Sequence, residues 1–294
     1  MAESVYPDSP IDNVIYALKH RTITPTTDSA PEVTRNDLWW YQNKDFAHSG
    51  NLFENARRVG IQWDFPVILQ GANGIVYTVT ADGELLWHNH VGWPTGTFQW
   101  EGPRVIGTGW SRQTENPNPK AFIGFFCDAG IGGEQLYPVS RTVIYALRAD
   151  GSLDWYRHDG SGDGTPLWAN NGLPKTVGTC WNWENGLQRI FSGTNGIIYV
   201  IRQDGALYWH RHNGYLTGTT EWEAPCQIGS NWGGFQQVFS IGGGIIYAVE
   251  KDGTVLHFWH KGYKNGSPSW DTPKKAGVWR GEIVCNSVCL ETTQ

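Results

Sequence analysis

The chain has 294 residues and a formal net charge of -6; only 17% of its residues are charged, whereas 14% are aromatic. This balance gives no basic footprint for nucleic acid or an anionic membrane surface, and no apolar run reaches transmembrane length. The 17 Trp and 37 Gly combine flat apolar surface with frequent turns, which is a β composition. The opening MAESVYPDSPIDN lacks the basic-then-apolar order of a secretory signal. That fits either an intracellular chain or a secreted protein in mature form.

The first strand expected is Val14 to Leu18. It runs into a long polar stretch, His20 to Asp37, and then an aromatic block at Trp39 and Trp40; Phe53 and Trp63 end the unit. The next unit carries IVYTVTADGELLWHNHVG from Ile75. The phrase returns as VIYALRADGSLDWYRHDG from Val143, IIYVIRQDGALYWHRHNG from Ile197 and IIYAVEKDGTVLHFWHKG from Ile245. A unit this short cannot bury its own apolar faces, so copies must stack on one another.

Within each unit the order is constant. The turns at Asp82-Gly83, Asp150-Gly151, Asp204-Gly205 and Asp252-Gly253, flanked by β-branched and aromatic residues, are hairpin signals. In IIYVI both alternating sets are apolar, so this strand is expected to be covered on both faces. A Gly-Thr or Gly-Ser loop follows, then a fourth run that opens and closes on Trp: Trp100 with Trp110, Trp168 with Trp181, Trp222 with Trp232, and Trp270 with Trp279. Four short antiparallel strands per unit, in five copies of which the first is degenerate, describe an all-β, five-bladed β-propeller forming one domain over 1–294. The tail Glu282 to Leu290 is expected to pair with Val14 to Leu18 and close the ring, removing two free strand edges.

The order Tyr-Ala/Val, Asp-Gly, Trp-Tyr/His-Arg-His-x-Gly, Trp and Gly-x-x-Trp resembles the tachylectin-2-like family of five-bladed β-propeller lectins over about residues 60 to 280. The resemblance implies recognition of N-acetylated amino sugars in repeated pockets near the blade junctions, beside the fourth-strand Trp. The residues this designates are Gln99 and Trp100, Trp168, Glu221 and Trp222, and Ser269 and Trp270. Leu167 precedes Trp168, so the polar position varies from copy to copy.

Other features admit structural readings. His90, His158, His212 and His260 share one repeat position, with Asn43 in the first unit; recurrence favours a structural hydrogen bond over catalysis. A Trp in every copy favours packing between blades. The five cysteines form no CxxC pair and suit buried thiols. Cys285 and Cys289 on one strand would be too far apart for a disulfide, although a turn at Asn286 and Ser287 would change that.

Three stretches depart from the repeat: His20 to Asp37, Ser111 to Lys120 and Ile131 to Thr142. The first two are expected on one face of the disc, where second-to-third turns and blade connections both emerge. Long loops on a rigid scaffold often carry function. No nucleophile elbow, zinc-protease or phosphate-loop motif occurs, and neither a metal nor an organic cofactor is called for.

Two readings follow. One is a glycan-binding lectin. The alternative is a small-molecule enzyme of natural-product biosynthesis, a cyclase or hetero-Diels–Alder catalyst acting by positioning and oxyanion stabilisation. Its single site would draw on His20, Arg21, Arg35, Trp39, Trp40, Trp93 and Lys120. Neither reading defines an oligomeric state.

Overall fold

The computed structural model describes residues 14–23, 33–42, 55–113, 115, 117–128, 141–279, 281–284 and 287–290. Blade 1 holds β1 (Val14–Ile23), β2 (Val33–Gln42) and β3 (Arg57–Gly60). Blade 2 holds β4 (Val67–Gln70), β5 (Ile75–Val79), β6 (Leu85–His90) and β7 (Trp100–Gly107). Blade 3 holds β8 (Phe122–Asp128), β9 (Thr142–Arg148), β10 (Leu153–His158) and β11 (Lys175–Gly178). Blade 4 holds β12 (Leu187–Thr194), β13 (Ile197–Arg202), β14 (Leu207–Arg211) and β15 (Cys226–Gly229). Blade 5 holds β16 (Gln237–Gly242), β17 (Ile245–Val249), β18 (Thr254–Trp259) and β19 (Lys274–Val278). The tail adds β20 (Glu282–Val284) and β21 (Ser287–Cys289). Each blade is an antiparallel meander, and the five sheets form the expected all-β ring of five blades.

The repeat grammar accounts for the meander. In each Asp-Gly turn the glycine takes a φ of 80–89°, and its N–H bonds back to the carbonyl three residues earlier, as from Gly205 to Arg202 at 2.8 Å. This is the three-residue hairpin loop with a left-handed Gly. Ile197 to Ile201 are all buried, so β13 is covered on both faces as its sequence requires. The Trp closing each blade returns to the same turn, since the N–H of Trp110, Trp181, Trp232 and Trp279 bonds to the carbonyl of Gly83, Gly151, Gly205 and Gly253, respectively.

In blade 1 Trp63 bonds to Asn36 instead. The second-to-third turn and the blade-to-blade connection therefore share a face, which brings the first two insertions to one side. His20 to Asp37 is mostly an extension of the β1–β2 hairpin, paired from Val14 with Gln42 out to Ile23 with Val33. Its tip, 24–32, lies outside the described residues, as does the third insertion except for Arg141 and Thr142.

Closure follows expectation in part. β20 joins β1 with Tyr16 opposite Val284 and Leu18 opposite Glu282, supplying blade 1 with its innermost strand. The rest of the expected strand departs: Ser287 to Cys289 pair instead with Phe191 to Arg189 on the inner edge of blade 4. Tail residue Val288 fills a notch at Gly124 of blade 3, where a Cβ would come within 2.3 Å of its Cγ1. The tail thus lies in the channel between the inner strands of blades 3 and 4. Cys285 lies outside the described residues, so the geometry of that pair is not defined, and Cys289 is a free thiol.

Candidate functional site: the blade junctions

The recurring histidines are latches between blades. His90, His158, His212 and His260 are fully buried. In each, Nε2 faces the carbonyl of Thr97, Thr165, Thr219 or Ser267 at 2.6–2.8 Å. A carbonyl only accepts, so Nε2 carries the proton and Nδ1 is a bare acceptor. The hydroxyls of Tyr16, Tyr77, Tyr145 and Tyr199, each from the preceding blade, donate to these Nδ1 atoms at 2.7–3.1 Å. Burial lowers the pKa of all four imidazoles, which keeps them neutral and fixes the tautomer. The structural reading of this position is the correct one.

Two sets of Trp reinforce the latches. The indole N–H of Trp40, Trp87, Trp155 and Trp209 donates forward to the carbonyl of Trp93, Ser161, Tyr215 and Tyr263 in the next blade. Gly96, Gly164, Gly218 and Gly266 lie directly over these indoles, with φ near 70° and room for no Cβ; one would meet ring carbon at 2.5 Å. The indole N–H of Trp100, Trp168, Trp222 and Trp270 donates backward to Val59, Ile106, Val177 and Ile228.

The ring faces of this second set are also occupied. Trp222, for example, stacks on His212 at 4.4 Å and 15° and meets Trp181 of the preceding blade at 5.5 Å; Trp100, Trp168 and Trp270 are held in the same way. These four Trp are therefore half-buried packing elements, as their recurrence suggested.

What each junction leaves open is its rim. Gln99, Leu167, Glu221 and Ser269 are exposed, and their carbonyls accept from the N–H of Gly92, Gly160, Gly214 and Gly262, giving four copies of one loop. The surrounding side chains differ. Asn89 donates to Glu101 at 3.2 Å in blade 2, Arg157 pairs with Asp159 at 2.6 Å in blade 3, Arg211 with Glu223 at 3.7 Å in blade 4, and Lys261 with Asp271 at 3.3 Å in blade 5. Sequence reasoning found the four loops and the paired acids Glu221 and Glu223, but not Glu101 and Asp271, whose signal was an acid directly after the fourth-strand Trp.

The residues of the alternative single site fall into separate groups: Arg21 and Arg35 face each other across the β1–β2 hairpin, and Trp40 and Trp93 meet at the junction of blades 1 and 2. Trp40 is core. Trp39 packs at the junction of blades 5 and 1, with Lys19 Nζ 4.3 Å from its ring. Trp93 accepts the Trp40 indole N–H through its carbonyl. Arg21 and Arg58 both pair with buried Asp37, at 3.0 and 3.3 Å; Arg35 pairs with Asp64 and Lys120 with Asp150; His20 is exposed. The two insertions do meet, at a cavity of about 270 Å³ lined by Asn36 and Arg112 but by none of those seven residues. Among the described residues, no group of three or more His, Cys, Asp or Glu could hold a metal ion.

A closed ring of five blades with repeated rim loops defines a five-bladed β-propeller. The Tachylectin family model matches residues 146–281, from within the second strand of blade 3 to the end of blade 5, so this part of the five-bladed ring is similar to that family. No curated protein matches the chain in sequence.

Among solved structures, the chain is similar to the Nup133 β-propeller domain of Vanderwaltozyma polyspora at 10% identity, covering 92% of this chain and 85% of that one with a TM-score of 0.37. It is also similar to the Aleuria aurantia lectin, a six-bladed fungal lectin with a novel fucose recognition mode, at 16% identity, 72% and 64% coverage and a TM-score of 0.31. Human WBSCR16 matches at 13% identity, 90% and 69% coverage and a TM-score of 0.33. Values this low leave blade count and junction chemistry to the geometry of this chain. Nothing in these comparisons supports a cycloaddition catalyst.

Proposed function

We propose that this protein binds carbohydrate, with N-acetylated amino sugars as the ligand class, at the rims of its blade junctions. The supporting observation is the fourfold repetition of one rim loop in a chain whose second half matches the Tachylectin family model. Because His and Trp occupy the indole faces, recognition falls to the rim side chains and exposed backbone rather than to ring stacking. Carboxylates and amides accept sugar hydroxyls and an acetamido N–H. Glu221 with Glu223, Gln99 with Glu101, and Ser269 with Asp271 supply such groups; Leu167 supplies none, so the rim of blade 3 is the weakest.

Each site is shallow, and useful avidity arises from several sites engaging one glycan surface. Titration with N-acetylglucosamine and N-acetylgalactosamine, followed by a glycan array, tests the reading. Binding at more than one site per chain, weakened by Glu221→Ala and unchanged by Leu167→Ala, is expected. Silence on a broad array would overturn it.

A further inference from the structure

Asp128 ends β8 as a buried carboxylate, 1% exposed, and its two oxygens reach into blade 4. Oδ1 accepts from the N–H of Asn195 at 2.8 Å and Oδ2 from that of Gly196 at 2.5 Å. Both belong to the turn between β12 and β13, where Thr194, Asn195 and Gly196 take φ of 71°, 53° and 76° in succession. A β-branched residue is strained in the left-handed region, and such a conformation persists only where its surroundings impose it. Here one carboxylate holds two successive N–H groups of the turn. Asp128 faces Val143; the residues facing its counterparts Ile75, Ile197 and Ile245 in blades 2, 4 and 5 are Gly71, Thr194 and Gly242, none of which carries a carboxylate.

The same turn carries the rim loop of blade 4. The carbonyl of Gly196 accepts from the N–H of His212 at 2.8 Å, and the loop starts there: the N–H of Tyr215 bonds to the His212 carbonyl and that of Gly214 to the Glu221 carbonyl, while His212 Nε2 donates to the carbonyl of Thr219 at 2.6 Å. Turn and loop are in close contact, since a Cβ on Gly196 would come within 2.4 Å of the His212 carbonyl oxygen and 2.9 Å of the Tyr215 ring. Two hydrogen bonds, Gly196 to Asp128 and His212 to Gly196, thus link the blade 3 carboxylate to the loop that presents Glu221 beside Trp222 and Glu223.

We propose that Asp128 is a positioning residue for the rim of blade 4, holding the loop before Trp222 in the form that takes an N-acetylated amino sugar; this rests on the sugar reading of the rims. Two N–H donors call for two acceptor oxygens, which the ionised carboxyl supplies, whereas protonation turns one oxygen into a hydroxyl and weakens one of the two bonds. Burial pushes the pKa of Asp128 up to about 7 against the pull of the two N–H groups, so the loop responds to pH near neutrality. Cys127 and Tyr145 of blade 3 feel its charge, and Tyr215 and His212 of blade 4 meet Tyr145. None of the four supplies a cation, since burial keeps His212 neutral. By linkage, a sugar that favours the held loop also favours the ionised carboxyl.

Amide 1H–15N spectra of the full chain between about pH 5.5 and about pH 8.5, above the ordinary carboxylate range, test this without a variant. The amides of Gly214 and Gly218 in the rim loop should titrate with the same midpoint as those of Asn195 and Gly196, and added N-acetylglucosamine should move that midpoint to lower pH. Affinity for N-acetylglucosamine at the blade 4 rim should rise about fivefold or more across this range and stay constant in Asp128→Asn, while the rims beside Gln99 and Ser269 show no such change. Sugar binding at blade 4 with rim amides that do not follow Asn195 and Gly196, or with one pH profile shared by wild type and Asp128→Asn, would overturn this proposal alone. Absence of sugar-induced shifts at every rim would overturn the sugar reading itself.

Discussion

Blades 2 to 5 meet their predecessors through one repeated device, whereas blades 5 and 1 meet through another. At each repeated junction three side-chain hydrogen bonds cross: Tyr to His, Trp forward to a loop carbonyl, and Trp backward to a fourth-strand carbonyl, as in Tyr145–His212, Trp155–Tyr215 and Trp222–Val177. At the closing junction His257 stands in the forward Trp position. Tyr41 packs edge-on against Trp279 at 5.2 Å, and Lys19 sits 4.3–5.6 Å from the rings of Trp39, Tyr41 and Trp279. Burial lowers the pKa of that lysine. Repeated junctions can use polar latches because each sequence copy brings both halves. The closing junction joins two chain ends, and its described contacts include this ring packing, a borrowed strand and hydrogen bonds between Gln237 and the tail at Gly281 and Ile283.

The largest effect expected follows from removing that strand. Deletion of residues 281–294 takes away buried Ile283, Val284 and Val288, each worth about 1.5–3 kcal/mol, and exposes an edge of β1 and one of β12. The sum is comparable to the whole stability of a typical domain. The truncated chain should aggregate in size-exclusion chromatography with light scattering; a monomer with unchanged melting would break the contrast.

Most of the ring was legible in the sequence because period and turn chemistry act locally: Asp-Gly, the alternating apolar runs and the paired Trp mark every blade. The second half of the tail was not. No feature within Ser287 to Cys289 announces that its partner is Arg189 to Phe191, since the pairing goes with the seating of Val288 in the notch at Gly124. For Trp100, Trp168, Trp222 and Trp270 recurrence pointed to packing between blades, but not to the His that covers each indole face.

Within the repeated junctions, His212→Ala leaves the buried Tyr145 hydroxyl and the Thr219 carbonyl without partners. A loss of about 2–4 kcal/mol is expected, and the same substitution at His90, His158 or His260 should cost a similar amount in chemical denaturation. Widely unequal losses would show that the four junctions are not one device.

Asp128 sharpens the comparison because it serves a single junction. Its carboxylate accepts from the N–H of Asn195 and Gly196 in blade 4 at 2.8 and 2.5 Å, yet burial outweighs those bonds and pushes its pKa up to about 7. A folded pKa above the unfolded value of about 3.9 means the native state binds the extra proton between them. The resulting stabilisation is full below pH 4 and lost as pH rises to about 7. Relative to Asp128→Asn, the wild type should gain on the order of 2–4 kcal/mol over that fall in pH; a constant difference would contradict the assignment.

The smallest effect is expected on the inserted hairpin. Arg21→Ala leaves Asp37 with Arg58, so a loss under about 1 kcal/mol and unchanged glycan titration are expected. A large loss of binding would move the functional site to this face.

The claim that recurring histidines are neutral latches between blades is tested most directly by imidazole 15N chemical shifts. His90, His158, His212 and His260 should all show the Nε2–H tautomer at pH 7 and stay neutral as the pH falls through the ordinary histidine range near 6.5. Titration at ordinary pKa values, or a proton on Nδ1 in any of the four, would contradict the account.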